Sequence, residues 1–210
     1  MKFTYLSLAF LLCTSLLSAQ QKGDVEASFN LGLNFSNITD IDYYGFGYQT
    51  NTRMSYNLGG SAEYYFSNNW GIKAKLIYDR KGWADDIFYF EDTDEEFITD
   101  YALNYITVPI MANFHFGRQR DWYINFGPYL GFLTSAEAVD PNVDVSEFIN
   151  NEDFGFAYGI GYKFLLNPNI KMYFEFEGQS GINDIFEDDL TGRVLNNRFS
   201  LNTGLLFLLY

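Results

Sequence analysis

Apolar and polar residues alternate along most of the chain. At 25–35 the odd positions Val25, Ala27, Phe29, Leu31, Leu33 and Phe35 are apolar, and Glu26, Ser28, Asn30, Gly32 and Asn34 separate them. Side chains of an extended strand point to opposite faces in turn, so period two over this length predicts a strand with one apolar and one polar face. Seven further segments repeat the pattern, at 54–66, 70–78, 106–116, 122–132, 154–164, 170–176 and 199–207. No segment after residue 24 sustains a helical period. Tyr101, Leu103 and Tyr105 fall out of step with Ile106, Val108 and Ile110, which predicts a bulge at the start of the fourth strand.

The connections alternate as well. Ser67-Asn68-Asn69, residues 117–121 and Asn167-Pro168-Asn169 read as short turns. The others, at 37–53, 83–100, 135–153 and 181–197, are long. Short turns at one rim and long loops at the other predict an all-β fold: an eight-stranded antiparallel up-and-down transmembrane β-barrel with short periplasmic turns and long extracellular loops. A soluble barrel that wraps its apolar face around a ligand would alternate too. Here the apolar set is too large and too aromatic for a small lumen, while the Gly, Ser, Asn, Tyr, Glu and Lys of the opposite set suit a polar interior.

Parity then assigns faces. The expected interior charges are the acids Glu26, Glu63, Asp79, Glu175 and Glu177 and the bases Lys73, Lys75, Lys81, Lys163 and Lys171, five of each. A simple turn at Ser67–Asn69 sets Glu63 opposite Lys73; likewise Gly159 and Gly161 would face Glu177 and Glu175. An eight-stranded lumen is just wide enough for side chains to fill, so a plugged barrel is expected and not a diffusion pore. Near the short turns stand Tyr64, Phe66, Trp70, Phe114, Phe116, Trp122, Tyr162 and Phe164, an aromatic girdle for the periplasmic membrane boundary.

The N-terminus carries a different signal. Lys2 precedes an apolar run at 3–17, and Leu17-Ser18-Ala19 offers a small-residue exit. That order predicts a secretory signal peptide at 1–19, leaving the barrel at 20–210 with both mature termini periplasmic. The only cysteine, Cys13, would leave with the leader. A disulfide framework is thereby excluded. With one His as well, a His/Cys metal cluster is not expected, and no cofactor is implied.

The formal charge of -14, from 13 basic and 27 acidic residues, argues against a nucleic-acid partner. Twenty of the 27 acids fall in the four long loops, eight of them at 83–100. Calcium or magnesium could bridge such carboxylates to one another or to anionic surface lipid. The stretch Asp92-Thr93-Asp94-Glu95-Glu96 nevertheless lacks the glycine and spacing of an EF-hand, so a divalent cation has no specific support. The same loops hold apolar groups such as Tyr43, Tyr44, Phe46, Phe88, Phe148, Ile149, Ile185 and Phe186. These groups either fold back on one another or meet a protein partner. Outer-membrane lipid is the other expected neighbour. For catalysis, the single His115 has Tyr123 as its cross-strand neighbour at the periplasmic rim and no evident serine, so a structural role is expected and no catalytic residue is assigned. A lipid-modifying enzyme and a narrow channel are the alternatives to a non-enzymatic structural or partner-binding barrel.

Several segments resemble a known family. Tyr105-Ile106-Thr107-Val108-Pro109-Ile110 and Phe126-Gly127-Pro128-Tyr129-Leu130-Gly131 are similar to consecutive strand motifs of the PorT-like outer-membrane β-barrel family of Bacteroidota, within the small OmpA/OmpX-type barrels. Phe156–Tyr162 and Phe199–Leu205 are similar to its sixth and closing strands. The resemblance covers nearly all of the mature chain. It implies an integral outer-membrane barrel of the cell envelope, some relatives of which are accessory parts of secretion and gliding machinery. Outer-membrane chains usually end in an outward aromatic; parity assigns that place to Phe207, and a bulge would be needed to give it to Tyr210.

Overall fold

Eight antiparallel strands pair in chain order, and the first also pairs with the last, so the sheet closes on itself. The computed structural model describes residues 21–42, 47–90, 95–140, 142–186 and 192–209. The wall consists of β1 (Val25–Asp42), β3 (Asn51–Tyr65), β4 (Trp70–Phe90), β5 (Glu95–Phe116), β6 (Trp122–Ala138), β8 (Glu152–Asn167), β9 (Ile170–Gly181) and β10 (Gly192–Leu208). Two short strands lie in the long connections, β2 (Gly47–Gln49) against β1 and β7 (Val143–Asp144) against β6. A single 3₁₀ turn spans Ser146–Phe148. The leader at 1–19, the loop aromatics Tyr43, Tyr44 and Phe46, the acids Asp92 and Asp94 and the terminal Tyr210 lie outside the described residues.

Closure leaves no open edge along the lower wall. It also forces every strand to present one face to the lumen and one to the surroundings. The outward set is apolar: Phe29, Leu31, Leu58, Ile72, Leu76, Ile110, Phe126, Phe156, Phe176 and Leu201 are all exposed. The band ends at Tyr56 and Tyr78. Arg80, the next outward residue on β4, places its guanidinium carbon 5.3 Å from the Tyr56 ring centroid. Trp70 to Tyr78 supplies nine residues on β4, the length of a tilted strand crossing a hydrocarbon core of roughly 30 Å. Both ends of the described chain meet at the short-turn rim, where Leu209 N donates to Val25 O at 2.9 Å.

Two expectations need correction, and a third holds. Two of the four long connections, 37–53 and 83–100, are mostly strand among the described residues. β4 continues to Phe90 and β5 begins at Glu95, so the 83–100 loop is a hairpin standing above the wall, with Ile87 opposite Ile98. Second, Tyr101, Leu103 and Tyr105 do not break parity. They share the inward odd face of Thr107, and the bulge lies on the partner strand, where Asn104 pairs with Ser135 but Tyr105 with Leu133. Both corrections have one cause. Above the membrane band the inside is protein and the outside is water, so the alternation persists with its polarity reversed. Third, the last strand holds unbroken register with β1, from Leu208 against Glu26 to Gly192 against Asp42. Phe207 therefore keeps the outward parity of Leu205.

Candidate functional site

The lumen is filled by a chain of alternating charges. Every expected interior residue is buried there apart from Lys171, which is partly exposed at the short-turn mouth. From that mouth upward, Lys171 pairs with Glu26 at 2.8 Å, Glu26 with Lys163 at 2.6 Å, Lys163 with Glu63 at 3.6 Å and Glu63 with Lys73 at 3.9 Å. Lys73 reaches Glu175 at 3.6 Å. Lys75 bridges Glu175 and Glu177, and Glu177 pairs with Arg198. Arg198 ends the chain on Asp79 at 3.3 Å. Above it, Lys81 holds Asp153 at 2.7 Å. Strand register builds this order. Glu63 lies opposite Lys73, and the glycines Gly159 and Gly161 lie opposite Glu177 and Glu175. At Gly161 the Tyr123 ring crosses so closely that a Cβ would sit 2.2 Å from it, so only glycine fits. Uncharged amides complete the filling: Asn57 donates to Asn34 at 2.7 Å and to Asn202 at 3.0 Å, and Asn34 donates to Asp79 at 2.8 Å.

Sequence reasoning missed three members. Asp153 was assigned to the acidic third loop, Arg198 was not counted, and His115 was set at the rim. Asp153 and Arg198 raise the network from five to six acids and five to six bases. His115 is fully buried, with Nε2 2.7 Å from Glu63 Oε1 and its ring 5.0 Å from Tyr65 and 5.6 Å from Tyr123. Its Nδ1 has no hydrogen-bond partner among the described residues. Burying such charges is tolerable only because each acid contacts at least one base, which makes the network all-or-none.

A second, apolar storey closes the lumen on the loop side. Ile38, Trp83, Leu103, Tyr105, Ala136 and Ala138 turn inward from the wall, and Val145, Ile149 and Ile185 fold over them from the loops. Trp83 stacks on Tyr101 at 4.7 Å and 13°, meets Phe186 edge-on at 6.3 Å and donates from Nε1 to Asp86 at 2.6 Å. Partial burial and the Asp86 carboxylate push the Tyr101 phenol above the ordinary tyrosine pKa. The chain bends into this storey at Gly82, whose φ of +118° suits glycine and whose Cβ would strike Tyr101 O at 1.9 Å. Isolated bridging of Ile149 to Phe186 ties two loops together over the core. Of the described loop residues, Phe88, Ile149, Ile185 and Phe186 thus pack together, while Ile87, Ile98 and Phe148 stay exposed.

The aromatic girdle forms a ladder around the short-turn rim. Trp70 meets Phe114 at 4.8 Å, Phe116 meets Trp122 at 6.4 Å, Trp122 meets Tyr162 at 4.8 Å and Tyr162 meets Phe164 at 4.6 Å. Tyr64 and Phe66 are exposed on the same rim. Rings in tilted, edge-on and stacked contact along this rim mark a boundary where one edge is wet and the other is in lipid. Among the described residues, no group of three His, Cys, Asp or Glu side chains could hold a metal ion.

A closed eight-stranded wall, apolar outside, charged inside and ringed by aromatics, defines an integral outer-membrane β-barrel. Residues 18–187 match the family described as outer membrane protein beta-barrel domain, and the chain belongs to that family. Among solved structures, the outer membrane protein OprG from Pseudomonas aeruginosa is similar at 11% identity and a TM-score of 0.56, over 91% of this chain and 98% of that one. The outer membrane protein AlkL, determined by solid-state NMR in DMPC bilayers, matches at 12% identity and 0.51, over 91% and 92%. Ail, the attachment invasion locus protein of Yersinia pestis, aligns at 18% identity and 0.44, over 89% and 100%. Likeness at these identities shows the fold alone. No curated protein matches the chain.

Proposed function

We propose that this protein is a closed, non-enzymatic outer-membrane anchor that presents a rigid rim to a protein partner. The observation that carries the reading is the two-storey filling of the lumen. Among the described residues, a charge-balanced network fills the lumen below and an apolar core closes it above, while the hairpin of β4 and β5 stands clear of the wall. Ile87 is 61% and Ile98 74% exposed, and the two lie directly opposite each other across the ribbon. Loss of solvent exposure on docking would favour contact there.

In this reading the short turns and both mature termini face the periplasm, residues 1–19 are a cleaved leader, and the acidic loops face outward. The PorT-like motifs support placement among Bacteroidota barrels that assist secretion or surface assembly, with envelope stabilisation or adhesion as the related roles. The test is cross-linking in intact cells followed by mass spectrometry. Exchanging the ribbon tip, residues 86–98, for a tight turn is expected to abolish a stoichiometric cross-link while the barrel keeps its heat-dependent shift on gels. A cross-link that survives the exchange would show that the ribbon is not the contact.

A further inference from the structure

Two turns at the short-turn rim are fastened to each other. Arg120 donates from Nη1 to Asn68 O at 2.7 Å, and Lys22 N donates to Asn68 Oδ1 at 3.2 Å. Asn69 Nδ2 donates to His115 O at 2.8 Å and Asn69 O accepts from His115 N at 2.7 Å, which ties the 67–69 turn to the strand that leads into 117–121. Arg120 holds a left-handed φ of +58°, a conformation uncommon for a residue with a Cβ and kept where the surroundings fix it. These bonds bring three cations, Lys22, Arg118 and Arg120, to the two turns around the exposed Asn68.

Lys22 and Arg118 are exposed, and neither forms an ion pair among the described residues. The acids beside them are engaged elsewhere. Asp24 Oδ2 accepts from Gln21 N at 2.8 Å, and Asp121 interacts with the charges of Lys163 and Lys171 at the lumen mouth. The cations also stand beside the aromatic girdle. Phe66 and Trp70 flank the first turn, Trp122 follows the second, and all three rings are exposed on the outer wall. Such rings lie at headgroup level. The 20 loop acids belong to the opposite rim, across the membrane band and beyond the roughly 8–10 Å that charge reaches at physiological salt.

We infer that the short-turn rim binds the headgroup of an anionic phospholipid in its own leaflet. The Arg118 guanidinium and the Lys22 ammonium would pair with phosphate oxygens, Asn68 Nδ2 would donate a further hydrogen bond, and the acyl chains would lie over the girdle rings. This binding does not depend on a partner at the loop rim. The test is native mass spectrometry of the full barrel, released from nanodiscs that carry equal amounts of phosphatidylglycerol and phosphatidylcholine with the same acyl chains. Phosphatidylglycerol is expected to be retained about tenfold over phosphatidylcholine, the discrimination that cations beside an anionic headgroup provide. The double variant Lys22→Gln with Arg118→Gln, two exposed changes outside the wall strands, is expected to bring the ratio close to one in barrels that still show the folded gel shift. The double variant Arg80→Gln with Arg193→Gln removes the same charge from the loop side and is expected to leave the ratio intact. Equal retention of the two lipids by the native barrel, a preference that survives the rim substitutions, or one that the loop-side substitutions abolish as well would overturn the inference. Displacement of the lipid by an equal concentration of inorganic phosphate would overturn the assignment to a lipid.

Discussion

Lys75→Met is expected to lower the stability of the barrel by about 3–5 kcal/mol, the cost of breaking a buried ion pair from one side. The Lys75 ammonium contacts both Glu175 and Glu177, and all three side chains are almost wholly buried. Met preserves much of the volume and removes the charge. Glu175 is then left with Lys73 at 3.6 Å and an Asn125 amide at 2.9 Å, and Glu177 with Arg198. The acids outnumber the bases by one in a region that water does not reach. The double variant Lys75→Met with Glu177→Gln restores the balance and is expected to recover most of the loss. Guanidinium unfolding in detergent, followed by fluorescence of Trp70, Trp83 and Trp122, measures both. A single variant as stable as the native barrel, or a double variant as unstable as the sum of two independent losses, would show that the charges are not one network.

The second large effect belongs to the apolar storey. Trp83→Ala is expected to cost about 3–5 kcal/mol through a large cavity. The loss should be local, because the storey is held by loops and by the upper ends of strands, while the lower wall keeps its closed ladder. Limited proteolysis of the folded barrel reads it: cleavage within the β4–β5 hairpin and the 139–151 segment is expected to accelerate sharply, with the gel shift unchanged. Cleavage at the native rate would mean that Trp83 does not hold the cap. Cleavage together with loss of the shift would mean that cap and wall unfold as one unit.

The wall was legible because it obeys one rule. A strand between lipid and a polar lumen must alternate, and eight such segments with alternating turn lengths leave one arrangement. The lower network followed from the same rule. With parity known, a three-residue turn at Ser67–Asn69 is enough to set Glu63 against Lys73. Asp153 and Arg198 were missed by one residue each, since parity was started at Phe154 and Phe199 although the inward place just before each belongs to the same strand. His115 holds the inward parity of Asn113 and was legible too, but its bond to Glu63 spans 52 residues and has no local signal. The cap was hidden for a different reason. Above the membrane the two faces exchange polarity, so Tyr101, Leu103 and Tyr105 looked like an error in the pattern. Its lid residues, Val145, Ile149 and Ile185, come from two separate loops that only the closed wall brings together.

The central claim is that the lumen is closed at both storeys, so that the barrel holds and presents and does not conduct. Single-channel recording in planar bilayers tests this most directly. The native protein, reconstituted with its folded gel shift verified, is expected to give no conductance steps above the bare membrane. Steady, reproducible steps whose size changes with Glu63→Gln or Lys73→Met would place an ion path through the network and contradict the account.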